Sequence, residues 1–205
     1  LVSYKRRTQN LSNLFVRISV VSSLALALLA SCTHETKEEV PAGPVCQDDR
    51  GCEGFLRCIS NTCSNPPAID GVVSEDTPVV GFKSGGTPYA QFNIELAVEP
   101  WEMTRGLMYR RAMHPEWGML FIYPNDGLRS FWMKDTLIPL DMVFVNSDGT
   151  VVSIIKGAEP LTLSARSSEG PARYVLELGA GVTDTAGIEP GHTMSVSGIS
   201  AHLQP

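Results

Sequence analysis

The stretch Phe131–Val145 reads FWMKDTLIPLDMVFV, and its reading decides the fold. Ile138, Leu140, Met142 and Phe144 alternate with Pro139, Asp141, Val143 and Val145. A period of two marks a strand with one face against a core. Asn146-Ser147-Asp148-Gly149 supplies turn chemistry, and Thr150–Ile155 is rich in β-branched residues. Strand, turn and strand predict a β-hairpin over 138–155.

Working outward, four further segments carry strand patterns. Phe92, Ile94, Leu96 and Val98 alternate with Asn93, Glu95, Ala97 and Glu99. Gly118–Tyr123 is a short apolar run, Tyr174, Leu176 and Leu178 alternate with Val175 and Glu177, and Met194, Val196 and Ile199 form the last strand. Glu99-Pro100 opens a helix with proline at its first position, and Gly106 ends it early. Short strands, Gly/Pro turns and one short helix predict a mainly β (α+β) domain over 89–203. Its expected form is a compact, mostly antiparallel β-barrel or sandwich.

The N-terminal half is organised differently. Lys5-Arg6-Arg7 precede the mostly apolar run Ile18–Ala30. Thirteen residues fall short of the about 20 that span a bilayer, so a signal peptide over 1–31 is expected. The run ends in Leu29-Ala30-Ser31-Cys32, which resembles a bacterial lipobox. That resemblance implies lipid attachment at Cys32 and, with Thr33 following, an outer-membrane address. Residues 32–45 are polar, acidic and proline-bearing and read as a disordered tether. Residues 64–88, with four prolines, read as a linker holding one edge strand at Val79–Phe82.

Between tether and linker, residues 46–63 hold Cys46, Cys52, Cys58 and Cys63 in the spacing C-x5-C-x5-C-x4-C. An exported chain meets an oxidising compartment, so disulfides are the default, and no Cys-x-x-Cys pair suggests zinc. So short a segment buries almost no core and depends on cross-links. It loosely resembles small secreted cysteine-rich modules, which implies the pairings Cys46–Cys58 and Cys52–Cys63. Its expected role is to space or protect the tether.

Charge narrows the function classes. Beyond residue 31 the chain holds 12 basic and 22 acidic side chains. Nucleic acid binding needs clustered Lys/Arg, so no nucleic-acid partner is expected. His34, His114, His192 and His202 are scattered, and neither a Gly-x-Ser-x-Gly nor a phosphate-cradling loop is present. Neither metal nor cofactor is expected. The seven methionines follow apolar faces and read as core rather than as copper ligands. Trp132, Met119, Phe121 and Phe144 also read as core.

Several segments together resemble the DUF192 (UPF0127) family over about residues 90–200. They are Thr104-Arg105-Gly106-Leu107-Met108-Tyr109-Arg110, Gly118-Met119-Leu120-Phe121, Phe131-Trp132-Met133-Lys134-Asp135-Thr136, Ile138-Pro139-Leu140-Asp141, Tyr174–Gly181 and Gly187-Ile188-Glu189-Pro190-Gly191. The family pattern usually has Asn at the position of Asp135, and Thr or Ser at that of Glu99. The resemblance implies a small β-rich fold with one helix and no known reaction.

Seven polar residues stand beside or within strongly apolar runs: Arg105, Arg110, Ser130, Lys134, Asp135, Asp141 and Glu177. A charge in such company is usually paired, because burying it alone costs several kcal/mol. Three readings stay open. Arg105 could join Asp141 or Glu177 in a structural ion-pair network. Arg105 and Lys134 could hold an anionic or polyhydroxyl ligand oriented by Asp141. Asp141 and Glu177 could form a hydrolase-type acid/base pair. The expected protein is thus an envelope lipoprotein that binds a small ligand or envelope component, with an enzyme or a structural protein as alternatives.

Overall fold

The structure, a computed structural model, describes residues 47, 49–52, 56–59, 61–65 and 74–205. The signal peptide, Cys32, the tether, Cys46 and part of the linker lie outside the described residues.

β1 (Arg57–Ile59) and β2 (Thr62–Ser64) form a two-stranded antiparallel hairpin. Cys63 is disulfide-bonded to Cys52 across a Cα separation of 5.4 Å, as the cysteine-module resemblance implies. Cys58 is disulfide-bonded as well.

The main sheet is built from β3 (Val79–Ser84), β4 (Thr87–Ala97), β5 (Trp117–Gly127), β7 (Leu140–Val145), β8 (Val151–Ala158), β10 (Ala172–Gly179) and β11 (Thr193–Ser197). Their order is β11-β3-β4-β5-β10-β7-β8. β6 (Ser130–Phe131) and β9 (Arg166–Ser167) pair separately. Every pairing is antiparallel except β4 with β5. That parallel step needs a crossover, which α1 (Pro100–Arg105) begins. A second short helix, α2 (Val182–Ala186), follows β10 where the sequence predicts none. Val79–Ser84 is an interior strand between β11 and β4 rather than an edge, so the sheet begins ahead of the expected boundary at residue 89.

The sheet curls into a half-barrel. Its edge strands meet at one end, where Thr150 bridges Thr193 and the amide of Met194 donates to the Gly149 carbonyl at 2.7 Å. Gly149 has φ +86°, and a Cβ there would stand 2.6 Å from the Met194 carbonyl oxygen. Only glycine allows this approach.

Apolar side chains fill both faces. Inside the curl, Phe82, Ile94, Leu120, Val143, Leu176 and Met194 join strands from both edges into one cluster. On the other face Met119, Phe121, Met142, Phe144 and Val175 pack under Leu107 and Met133. β7 is therefore buried along all six residues, whereas the alternation of Ile138–Val145 predicts burial on one face. α1 and the loops after it cover the second face, and there a cleft opens.

Candidate functional site

The cleft begins where α1 stops. The Glu102 carboxylate accepts from the backbone amides of Val98 and Glu99, both at 2.9 Å, which satisfies donors left open at the helix start. The chain then leaves the helix at Gly106, with φ +46°. A Cβ at Gly106 would lie 3.1 Å from Phe121 Cζ and 4.0 Å from Glu177 Oε2. The Gly106 backbone thus rests directly on the aromatic ring and the carboxyl below it.

Glu177 forms part of the floor. On β10 it pairs with Met119 of β5 on one side and Met142 of β7 on the other. It is 4 % exposed. Among the described residues no hydrogen bond or ion pair reaches its carboxyl. Burial penalises the charged form and pushes its pKa up to about 8, against a weaker opposing pull from Arg110. Glu177 is therefore mostly protonated at neutral pH.

A second carboxylate lies in the same transverse row. Glu95 of β4 pairs with Met119, so Glu95, Met119, Glu177 and Met142 cross the sheet on one face. Two strand spacings separate Glu95 from Glu177, roughly 10 Å between backbones. Arg110, 1 % exposed, grips Glu95 with two hydrogen bonds of 2.7 Å each. Arg57 Nε approaches the same carboxylate at 3.6 Å. Arg110 thus serves Glu95 directly and reaches Glu177 only through its field.

The cleft has a volume of about 230 Å³. Phe121, Tyr123, Phe131 and Trp132 supply its aromatic walls, and Thr104, Arg105, Ser130 and Thr136 its polar ones. The Phe121 and Phe131 rings meet edge to face at 5.0 Å. Burial raises the Tyr123 phenol above its ordinary pKa, with Arg129 pulling down and Glu177 pushing up. Trp132 is 49 % exposed at the mouth, contrary to its reading as core. It follows the two-residue β6, where the local chain has no further strand to bury it.

The seven polar residues divide among different tasks. Arg105, Ser130 and Glu177 line the cleft. Lys134 stands at the rim, its Nζ 5.5 Å from the Trp132 ring centroid. Arg105 Nη2 donates to the Leu56 carbonyl at 2.9 Å. Ser130 Oγ accepts from Ser167 at 3.2 Å. Asp135 holds a φ of +52° and accepts the Tyr109 hydroxyl at 3.1 Å. Asn and Asp both tolerate that left-handed backbone, which accounts for the exchange at this position of the pattern. Arg110 belongs to the ion pair beneath the cleft.

Asp141 is elsewhere. It pairs with Leu178, so it stands on the face opposite Glu177. Fully buried, it accepts the amides of Gly157 at 2.8 Å, Gly181 at 3.0 Å and Thr183 at 3.1 Å, and the Thr183 hydroxyl at 2.7 Å. Its role is to pin α2 and β8 to β7. It does not stand with Arg105 and Glu177 at the cleft. Among the described residues no three His, Cys, Asp or Glu side chains gather as a metal site.

The disulfide hairpin also touches this region. Arg57 Nη2 donates to the Gly106 carbonyl at 2.8 Å, and Arg105 reaches back to Leu56. The hairpin thus braces the helix end that borders the cleft.

The model of the DUF192 family, described as an uncharacterised ACR, matches residues 80–196. The chain is similar to a proposed transcription regulator from Sinorhizobium meliloti 1021, at 39% identity over 63% of this chain and 100% of that one, with a TM-score of 0.57. It is similar also to a protein of unknown function from Novosphingobium aromaticivorans DSM 12444. There the identity is 34% over 57% of this chain and 82% of that one, with a TM-score of 0.54. No curated protein matches at a significant level.

Proposed function

This chain belongs to the DUF192 family, which is uncharacterised, and from that premise we propose that it is a non-enzymatic binding module for a small molecule, exported and anchored by a lipid on Cys32. The observation that carries the binding reading is Glu177. A carboxyl that is nearly inaccessible and has no described partner is costly to keep in a core. Its position below an aromatic-walled opening gives that cost a purpose, because a ligand can supply the missing partner.

Hydrolysis by two carboxylates has no support in this geometry, since Asp141 is sequestered on the other face. Transcription regulation belongs to the name of the Sinorhizobium protein. The excess of acidic side chains beyond residue 31 speaks against carrying it over. Export is supported by Lys5-Arg6-Arg7, the apolar run and the motif before Cys32, together with the oxidised Cys52–Cys63 pair. An outer-membrane address is the reading that Thr33 favours.

A fragment library screened by thermal shift at pH 7 tests the cleft. Hits that stabilise the wild type and lose that effect in Trp132→Ala are expected; a screen without such hits rejects the binding module. For the anchor, Cys32→Ser should lose acyl labelling and membrane fractionation, and retention of both would reject lipidation.

A further inference from the structure

We propose that the cleft above Glu177 takes a neutral polyhydroxyl ring of monosaccharide size, seated against Trp132 and hydrogen-bonded to the Glu177 carboxyl and the wall hydroxyls; this rests on the binding-module reading and names its ligand class. Three observations converge on it.

Size comes first. At about 230 Å³ the cleft is smaller than the roughly 300–1,000 Å³ of pockets for drug-sized ligands. It accommodates one ring rather than an extended chain.

Charge comes second. An ammonium ligand would want Glu177 ionised, yet burial favours its protonated form and the fields of nearby Arg105 and Arg110 oppose a further cation. An anionic ligand would find Arg105 on the wall, which already donates to the Leu56 carbonyl, and Lys134 at the rim, whose Nζ is already engaged with the Trp132 ring. It would also repel Glu177 whenever that group ionised. A neutral ligand avoids both penalties.

Donor and acceptor pattern comes third. A protonated carboxyl donates one hydrogen bond and still accepts others. Thr104 Oγ1 donates to the Pro100 carbonyl at 2.8 Å and Thr136 Oγ1 to the Lys134 carbonyl at 3.2 Å, so both oxygens keep their acceptor lone pairs. Ser130 Oγ, which accepts from Ser167, keeps its proton to donate. Such a mixed array suits hydroxyl groups, each of which donates and accepts. The half-exposed Trp132 face offers a flat apolar surface of partial negative charge, which matches the C–H face of a pyranose.

The test is ligand-observed NMR and titration on the full chain. The probes are methyl glucopyranoside and N-acetylglucosamine, benzoate as the anion, and phenylethylammonium as the cation. Binding of a neutral pyranose at pH 6.5 is expected, weakened at least tenfold by Trp132→Ala and weakened at pH 9. Glu177→Gln, which keeps a neutral donor and acceptor, should bind within about threefold of the wild type and lose the pH dependence. Circular dichroism of each variant separates loss of the site from loss of the fold. Trp132-dependent binding of benzoate or phenylethylammonium without pyranose overturns the ligand class and leaves the binding module standing. No Trp132-dependent binding of any probe, in a protein that also gives no hits in the fragment screen, overturns both.

Discussion

Asp141 and Glu177 stand on opposite faces of one sheet: across the β7–β10 ladder Asp141 faces Leu178, while Glu177 faces Met142. Neighbouring register positions, one residue apart, separate a structural carboxylate from a cleft carboxylate. Their environments differ accordingly. Asp141 accepts four hydrogen bonds from Gly157, Gly181 and Thr183, and Glu177 has none from any described residue.

Asp141→Asn should therefore act on stability. The amide cannot accept on both of its terminal atoms, and charge-assisted bonds are worth about 1.5–3 kcal/mol each. A loss of about 3 kcal/mol in urea unfolding is expected, with ligand affinity of the folded fraction unchanged. An unaltered unfolding midpoint would remove the structural role.

Glu177 should tie stability to pH. Its pKa rises from 4.5 when free to about 8 when folded, so the folded state binds the proton more tightly. Stability is then fully present below about pH 4.5, falls as pH rises towards about 8, and levels off above it. Glu177→Gln should flatten this descent in denaturant midpoints measured between pH 5 and 9. A wild-type profile that climbs across that window from this group would contradict the burial seen here.

The Arg110–Glu95 pair should be intolerant of single truncation. Removing one member of a buried pair strands a charge, at about 3–5 kcal/mol. Glu95→Gln, which strands the buried Arg110, should destabilise by that order, and Arg110→Met by less, because Arg57 still faces Glu95. The double variant should recover part of the loss in a double-mutant cycle. Strictly additive losses would show that the two side chains are not coupled.

Reduction should loosen the cleft wall before it unfolds the sheet. The Cys52–Cys63 bond closes a loop with a sequence separation of 11, worth about 2–3 kcal/mol in chain entropy. Opening it releases the hairpin that carries Arg57 to Gly106. Hydrogen exchange at Gly106–Met108 should rise on adding dithiothreitol, with β5 and β10 still protected. Uniform exchange across all these segments would deny the hairpin its bracing role.

Tyr174→Phe should be neutral or stabilising. The Tyr174 hydroxyl is buried with no hydrogen-bond partner among the described residues, and such a group costs about 1–3 kcal/mol. A thermal midpoint lowered by several degrees would reveal a partner not apparent in this geometry.

The sequence shows the strands well where one physical rule governs them. Phe92–Val98 alternates because its strand has distinct faces, and Glu99-Pro100 with Gly106 brackets α1 because caps are local chemistry. α2 is invisible by the same logic: its five residues begin after Gly181, and the carboxylate that holds its start comes from Asp141 on another strand. Glu95 occupies an ordinary polar slot of an alternating strand, so nothing local marks it as the partner of Arg110. The available clue was Arg110 itself, a cation in apolar surroundings that required an acid. Trp132 misleads in the other direction, because an indole among apolar residues reads as interior until the strand before it proves to be two residues long.

The join between Thr150 and Thr193 has a bearing on behaviour at high concentration. Sheets with bare margins invite strands of other molecules to add on. Because Thr150, just ahead of β8, pairs with Thr193 at the start of β11, that end of both margins is closed to a neighbour. Replacing Gly149 with a bulkier residue would push the seam apart, and the molecule would then expose two complete adhesive borders to its own kind.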